Sequence, residues 1–168
     1  MKKTFGLILS LLIGTALLAA CGSTAKSNFG LQISMEGVVD IPGFVKGTFG
    51  PDTAWIPLEP KQVTETYMGS YSGEFHAKMT EGCNVNVKYP VTFNVTAKGT
   101  KELDISVNTS IAMGEVYVCP DVSGSYNKPP TKGVITFTLP AVNGASYVWN
   151  APKSEYGSLT WTFTLKKQ

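Results

Sequence analysis

Residues 158–165, Ser-Leu-Thr-Trp-Thr-Phe-Thr-Leu, alternate polar and apolar without a break. Successive side chains of a β-strand point to opposite faces, so this period places Leu159, Trp161, Phe163 and Leu165 together and Ser158, Thr160, Thr162 and Thr164 opposite them. A helix would scatter both sets around its circumference. The same period returns along the chain. Leu31, Ile33 and Met35 oppose Gln32, Ser34 and Glu36. Phe75, Ala77 and Met79 oppose Glu74, His76, Lys78 and Thr80, and Val85, Val87 and Tyr89 oppose Asn84, Asn86 and Lys88. Past Pro90 the pattern resumes with Val91, Phe93, Val95 and Ala97, and again with Leu103, Ile105 and Val107 and with Ile135, Phe137 and Leu139. Pro90 predicts an edge, a bulge or a corner, because it lacks the N–H that a ladder needs.

Turn chemistry separates these runs at Pro42-Gly43, Gly50-Pro51-Asp52, Lys98-Gly99, Pro129-Pro130, Asn143-Gly144 and Pro152. About eight to ten short strands at such spacing predict a single all-β antiparallel domain over residues 31–168. A β-sandwich of Ig-like or related Greek key architecture is the expected form, and a closed barrel the alternative. "Ig-like" means architecture only, since no Trp stands between Cys83 and Cys119. Resemblance to the lipocalin barrel stops at Gly47-Thr48-Phe49, where that family has Gly-x-Trp, and the chain contains no Arg.

The first 28 residues read differently. Lys2 and Lys3 precede an apolar run from Phe5 to Leu18, the charged and apolar regions of a secretory signal. As a helix the run is about 21 Å long, against roughly 30 Å of bilayer hydrocarbon. It is too short to span. Leu18-Ala19-Ala20-Cys21-Gly22-Ser23 follows and resembles the lipobox of bacterial lipoproteins. That resemblance implies removal of residues 1–20, a diacylglyceryl group on Cys21 and acylation, as by palmitate, of the new amino terminus. Several acyl chains, at about 0.8 kcal/mol per buried CH₂, hold a protein stably on a membrane. Residues 21–30 are then a lipidated N-terminus and short tether. Gly22 in place of Asp implies, again by resemblance, an outer membrane facing the periplasm, with the outer face of the cytoplasmic membrane as the alternative.

Export frames the remaining cysteines. With Cys21 given to lipid, Cys83 and Cys119 are left in a chain bound for an oxidising compartment, and an internal disulfide is expected between them. Two buried free thiols are the other reading. Loss of the signal also removes two of the 14 basic residues, which then balance the 12 acidic ones. Every basic residue is Lys, so the bidentate fork that favours phosphate is missing. A nucleic-acid partner is not expected.

Catalytic motifs do not assemble. The one histidine, His76, falls on a polar strand face beside Glu74 and Lys78, where a solvated imidazole is expected. Gly69-Ser70-Tyr71-Ser72-Gly73 has Tyr where a nucleophile elbow needs Ser. Asp121–Asn127 is rich in oxygen ligands but lacks the glycine placement of a calcium loop and reads as a turn. Neither a catalytic residue, a metal site nor a cofactor is therefore expected. Tyr126, Tyr147, Trp149 and Tyr156 are candidate ligand-binding aromatics, since such rings stack on sugars or anchor interfaces, although core packing explains Tyr147 and Trp149 equally well. The function expected is that of a non-enzymatic envelope lipoprotein whose β-domain binds another envelope protein or serves envelope structure. A glycan-binding module and a carrier of a small hydrophobic ligand are the alternatives, the last requiring a sizeable apolar cavity.

Overall fold

The structure, a computed structural model, describes residues 29–41, 45–61, 65–82, 84–118, 123–152, 155 and 157–167. Nine strands account for nearly all of them: β1 (Phe29–Ile41), β2 (Val45–Pro57), β3 (Glu59–Pro60), β4 (Thr66–Gly82), β5 (Asn84–Lys98), β6 (Glu102–Val118), β7 (Ser123–Pro140), β8 (Ser146–Asn150) and β9 (Gly157–Lys167). The chain is all-β and antiparallel, as the alternation predicts. One sheet runs in the order β7-β6-β5-β4-β2-β1-β9-β8, with β3 paired to β4.

Most strands pair with a neighbour in sequence, β2 pairs with β4 past the short β3, β7 and β8 share no ladder among the described residues, and the one long-range pairing joins β1 to β9. This is the wiring of an antiparallel meander. The sheet nearly closes into a barrel, and its shape follows from where two ladders stop. β2 pairs with β1 over most of its length but with β4 only from Val45 to Phe49. It leaves β4 at Gly50, whose φ of 66° is a backbone state that suits glycine. Beyond that point Asp52 accepts a hydrogen bond from the His76 backbone N–H with its side chain. The sheet thus bends between β2 and β4, and its halves β8-β9-β1-β2 and β4-β5-β6-β7 face each other. The second interruption is the seam between β7 and β8. The Ala141–Ala145 turn bonds to β9, with Gly144 N donating to Leu165 O and Leu165 N to Ala145 O, both at 2.8 Å. β8 is thereby aligned on β9, and no ladder joins it to β7 among the described residues.

The alternation decides what lies between the halves. Leu31, Ile33 and Met35, Phe75, the run from Val91 to Ala97, Leu103 to Val107, Phe137 and Leu139, and Trp161 to Leu165 all bury their apolar members in one cluster. Their polar neighbours form the outer face, where directly opposed residues bond across strands. Thr138 Oγ1 donates to Asp104 Oδ1 at 2.8 Å and Thr160 Oγ1 to Asn150 Oδ1 at 2.9 Å. Aromatic rings cross the interior. β5 and β9 are four strands apart, about 19 Å in a flat sheet, yet the Phe93 and Trp161 ring centres are 5.4 Å apart and nearly perpendicular. Trp161 also meets Phe75 at 6.1 Å. On the seam, Phe137 of β7 and Tyr147 of β8 stack at 4.6 Å and 7°.

Two expectations change in detail. Gly50-Pro51-Asp52 and Pro129-Pro130 are not turns between strands but lie inside β2 and β7. Pro90 sits in the central strand β5 and is accommodated where the β5–β6 ladder steps from Lys88↔Gly114 to Val91↔Ile111.

Trp161, 2% exposed, is the ring on which both halves rest. Trp161→Ala should cost about 3–5 kcal/mol, whereas Thr162→Ala on the same strand should stay within about 0.5 kcal/mol. Urea unfolding of both variants checks this.

Candidate functional site

Met35 of β1 and Trp161 of β9 are direct ladder partners, and so are Val38 and Ser158 three residues further along. The first pair is buried on the inner face and the second lies on the outer face, while the next inner-face pairs, Gly37↔Leu159 and Val39↔Gly157, are only half-buried. Between these levels the two halves of the sheet do not fill the space. They leave an apolar cavity of about 350 Å³, within the size range of small-molecule sites. Met35 and Trp161 form its floor. Phe49 of β2 and Leu159 of β9 line one side, and Tyr89 of β5 and Ile111 of β6 enclose it from the other half. Phe49 and Tyr89 meet edge to face at 5.5 Å across it. Val38, Pro152 and Ser158 form the rim.

Local structure explains the gap. After β8, Ala151 N donates to Leu159 O at 2.9 Å, which ties the segment after the strand back onto β9. Residues Ala151 and Pro152 therefore border the cavity where a longer β8 would have placed large side chains. On the opposite wall Gly157 has φ +156°, and a Cβ added there would lie 2.2 Å from Val38 O. The close approach of β9 to β1 at the rim thus depends on glycine. Among the described lining residues none carries a charge, and Ser158 and the Tyr89 phenol supply the side-chain polar groups.

The residues singled out from sequence fall elsewhere. His76 lies on the outer face of β4, half exposed, with Nε2 at 3.8 Å from Glu74 Oε2; Lys88 Nζ approaches the same oxygen at 3.7 Å. This is a solvent-screened surface cluster. Ser70, Tyr71 and Ser72 are mid-strand residues of β4, and Tyr71 packs on Phe93 at 6.1 Å. Tyr147 and Trp149 are partly buried and pack against the core. The side chains of Tyr126 and Tyr156 lie outside the described residues, as do Cys21, Cys83 and Cys119. No group of three His, Cys, Asp or Glu that could hold a metal occurs among the described residues.

Sequence reading missed the cavity because its lining is the ordinary apolar phase of β1 and β9, indistinguishable from core. Phe49 was hidden in a Gly- and Pro-rich stretch read as turns. The exposed ring of Trp55 was also passed over. It lies across Gly30 of the neighbouring strand, where a Cβ would sit 2.2 Å from its atoms, so it is engaged in packing on the outer face.

Gly157→Ala should destabilise the domain by more than about 1 kcal/mol through strain and displacement of the rim, while Gly144→Ala, with φ +86° but open space around its Cβ, should cost less; thermal unfolding of the two variants gives the comparison. No known protein family, curated protein or solved structure matches this chain.

Proposed function

We propose that the mature protein is a lipid-anchored cell-envelope lipoprotein whose β-domain is non-catalytic, works by binding, and binds in the cavity between its two halves. The anchored part rests on the signal and lipobox ending at Cys21. The observation that carries the binding part is the cavity itself, a partly open apolar space of about 350 Å³ lined in part by Met35 and Trp161. Water held there makes few hydrogen bonds, so an apolar occupant gains from displacing it. A non-catalytic reading agrees with the outward placement of His76 and its ion-pair cluster, remote in chemistry from the uncharged cavity.

A second reading, interaction with another envelope protein, is favoured by the open sheet edges. Lys128, Pro129, Pro130 and Lys132 punctuate the first half of β7, but Gly133–Leu139 carries neither charge nor proline, and β8 has none at all. Natural edges are usually blunted by such residues. Val134, Val142 and Val148, on β7, β8 and the turn between them, are each more than half exposed. An added strand would find both backbone groups and apolar contacts there.

The disulfide belongs to the same proposal. Asn84 and Val118, each adjacent in sequence to a cysteine, are ladder partners. In an exported chain Cys83 and Cys119 are the pair left once Cys21 carries lipid.

Two measurements address these points. Mass spectrometry should find fatty acyl mass on the peptide beginning at Cys21, no alkylation of Cys83 or Cys119 without reductant, and two labels after reduction. The full chain bearing Cys21→Ser, freed of lipid, should bind the neutral fluorescent probe N-phenyl-1-naphthylamine at one saturable site. Ala151→Phe, which fills the cavity, should weaken that binding at least tenfold with little change in stability; binding that survives it, or that never saturates, would remove the cavity as the site.

A further inference from the structure

The outer face of β8-β9-β1-β2 carries the ring of Trp55 among short polar side chains. Trp55 is 40% exposed, whereas Trp161 on the inner face is 2% exposed. How the exposed ring lies can be read from Gly30, which stands diagonal to it on β1. Alternation with the buried Leu31 points the Cα–Cβ direction of Gly30 outward. A Cβ there would stand 2.2 Å from both Cζ2 and Cη2 of Trp55 and 2.9 Å from Cε2. A Cβ approaching in the plane of the ring, past the Cζ2–Cη2 bond, would leave Cε2 much further off. These distances place it over the ring face. Side chains of a strand stand roughly perpendicular to the sheet, so the indole lies flat along it, with one face on the buried Gly30 backbone and the other turned to solvent.

The ladders set hydrogen-bonding groups around this ring. Gln32 pairs with Trp55, Thr164 with Gln32, and Ser146 with Thr164. That row crosses four strands, about 14 Å at roughly 4.8 Å per step. The next row repeats the hydroxyls at Ser34 and Thr162 and ends at the exposed Val148 of β8. Lys166 beside Gly30 and Glu36 beyond Ser34 flank the rows with opposite charges.

A flat ring bordered by an amide and neutral hydroxyls matches a molecule with a flat face of C–H bonds and a perimeter of hydroxyls. We infer that this face is a second binding site, separate from the cavity, and takes a neutral saccharide chain, one sugar stacking on Trp55 while its hydroxyls exchange hydrogen bonds with Gln32 and Thr164. Sugars with equatorial ring hydroxyls present such a face, so chains of β-linked glucopyranose units are the class that fits. A protein partner calls for a different surround, since aromatic anchors of protein interfaces sit within apolar, water-excluding contacts. Here Pro57, opposite Gly30, is an apolar neighbour, but the row running from the ring across the sheet is polar.

The full chain bearing Cys21→Ser, freed of lipid, is titrated with cellohexaose and with N-acetylchitohexaose. Binding is followed by calorimetry and by the indole N–H resonances, that of Trp55 being assigned from its loss in Trp55→Phe. At least one hexasaccharide should bind saturably and shift the Trp55 resonance. Trp55→Leu, which keeps an apolar cover on Gly30 without a flat ring, should weaken binding about tenfold or more, and Gln32→Ala about three- to tenfold. Ala151→Phe, in the cavity, should leave the saccharide affinity unchanged, and Trp55→Leu should leave N-phenyl-1-naphthylamine binding unchanged, so the two sites stand or fall separately. Failure of both hexasaccharides to bind saturably overturns the inference, as does binding that persists in Trp55→Leu or shifts only Trp149 and Trp161. Self-association of the chain that disappears in Trp55→Leu makes the ring a protein interface and overturns it as well. Should Trp55→Leu not fold, Trp55→Phe and Gln32→Ala decide, and unchanged affinity in both rejects the site.

Discussion

Burial of one face of a continuous sheet is the constraint from which the rest of this molecule follows. Every long strand carries apolar side chains on a single face, and a sheet with one apolar face can remove it from water only by another layer or by curling on itself. No helix is available among the described residues, so the sheet covers itself. The Trp161 ring expresses that solution most directly. It stands on β9 and touches Phe75 and Phe93 on β4 and β5, which hydrogen bonding alone would hold far away. Ladder bonds set the order of the strands; packing around Trp161 sets the distance between the halves.

A sheet that curls this far must bend sharply somewhere, and the two places where its ladder fails are where the bend is taken up. At β2–β4 the failure is local and compensated. Gly50 supplies the kink, Asp52 substitutes a side-chain acceptor for the lost β-partner of His76, and β3 restores pairing with β4 at Tyr67 and Met68. At β7–β8 the compensation is apolar. Phe137 and Tyr147 stack across the seam, so side chains close the core where the backbones do not close the barrel. The architecture combines features of the sandwich and the barrel anticipated from sequence, because one continuous sheet forms both facing layers.

The alternation of apolar and polar residues made most of this legible. In β1, β5, β6, β7 and β9 the residues assigned to the inner face by period alone, such as Ile33, Phe93, Ile105, Phe137 and Phe163, are those buried. Three kinds of information were not local and so could not be read. Strand β2 contains Gly47, Gly50, Pro51 and Pro57, which signal turns in isolation but are tolerated where β1 supplies a complete ladder on one side. Which end strands meet is one of these, since the pairing of β1 with β9 joins opposite ends of the described chain. The cavity is a property of what is missing between packed strands. Leu159 lines it and Phe163 fills the core, yet both occupy the same phase of the same strand.

The same one-sided pattern separates polar chemistry from apolar space. Charged and hydrogen-bonding side chains fall on the outer face, where Glu74, His76 and Lys88 form a dispersed, solvent-exposed cluster. The interior is left with hydrocarbon and aromatic surface, and the cavity beside Met35, Phe49, Leu159 and Trp161 inherits that composition. The alternation that closes the sheet thus also sets the apolar composition of the space between its halves.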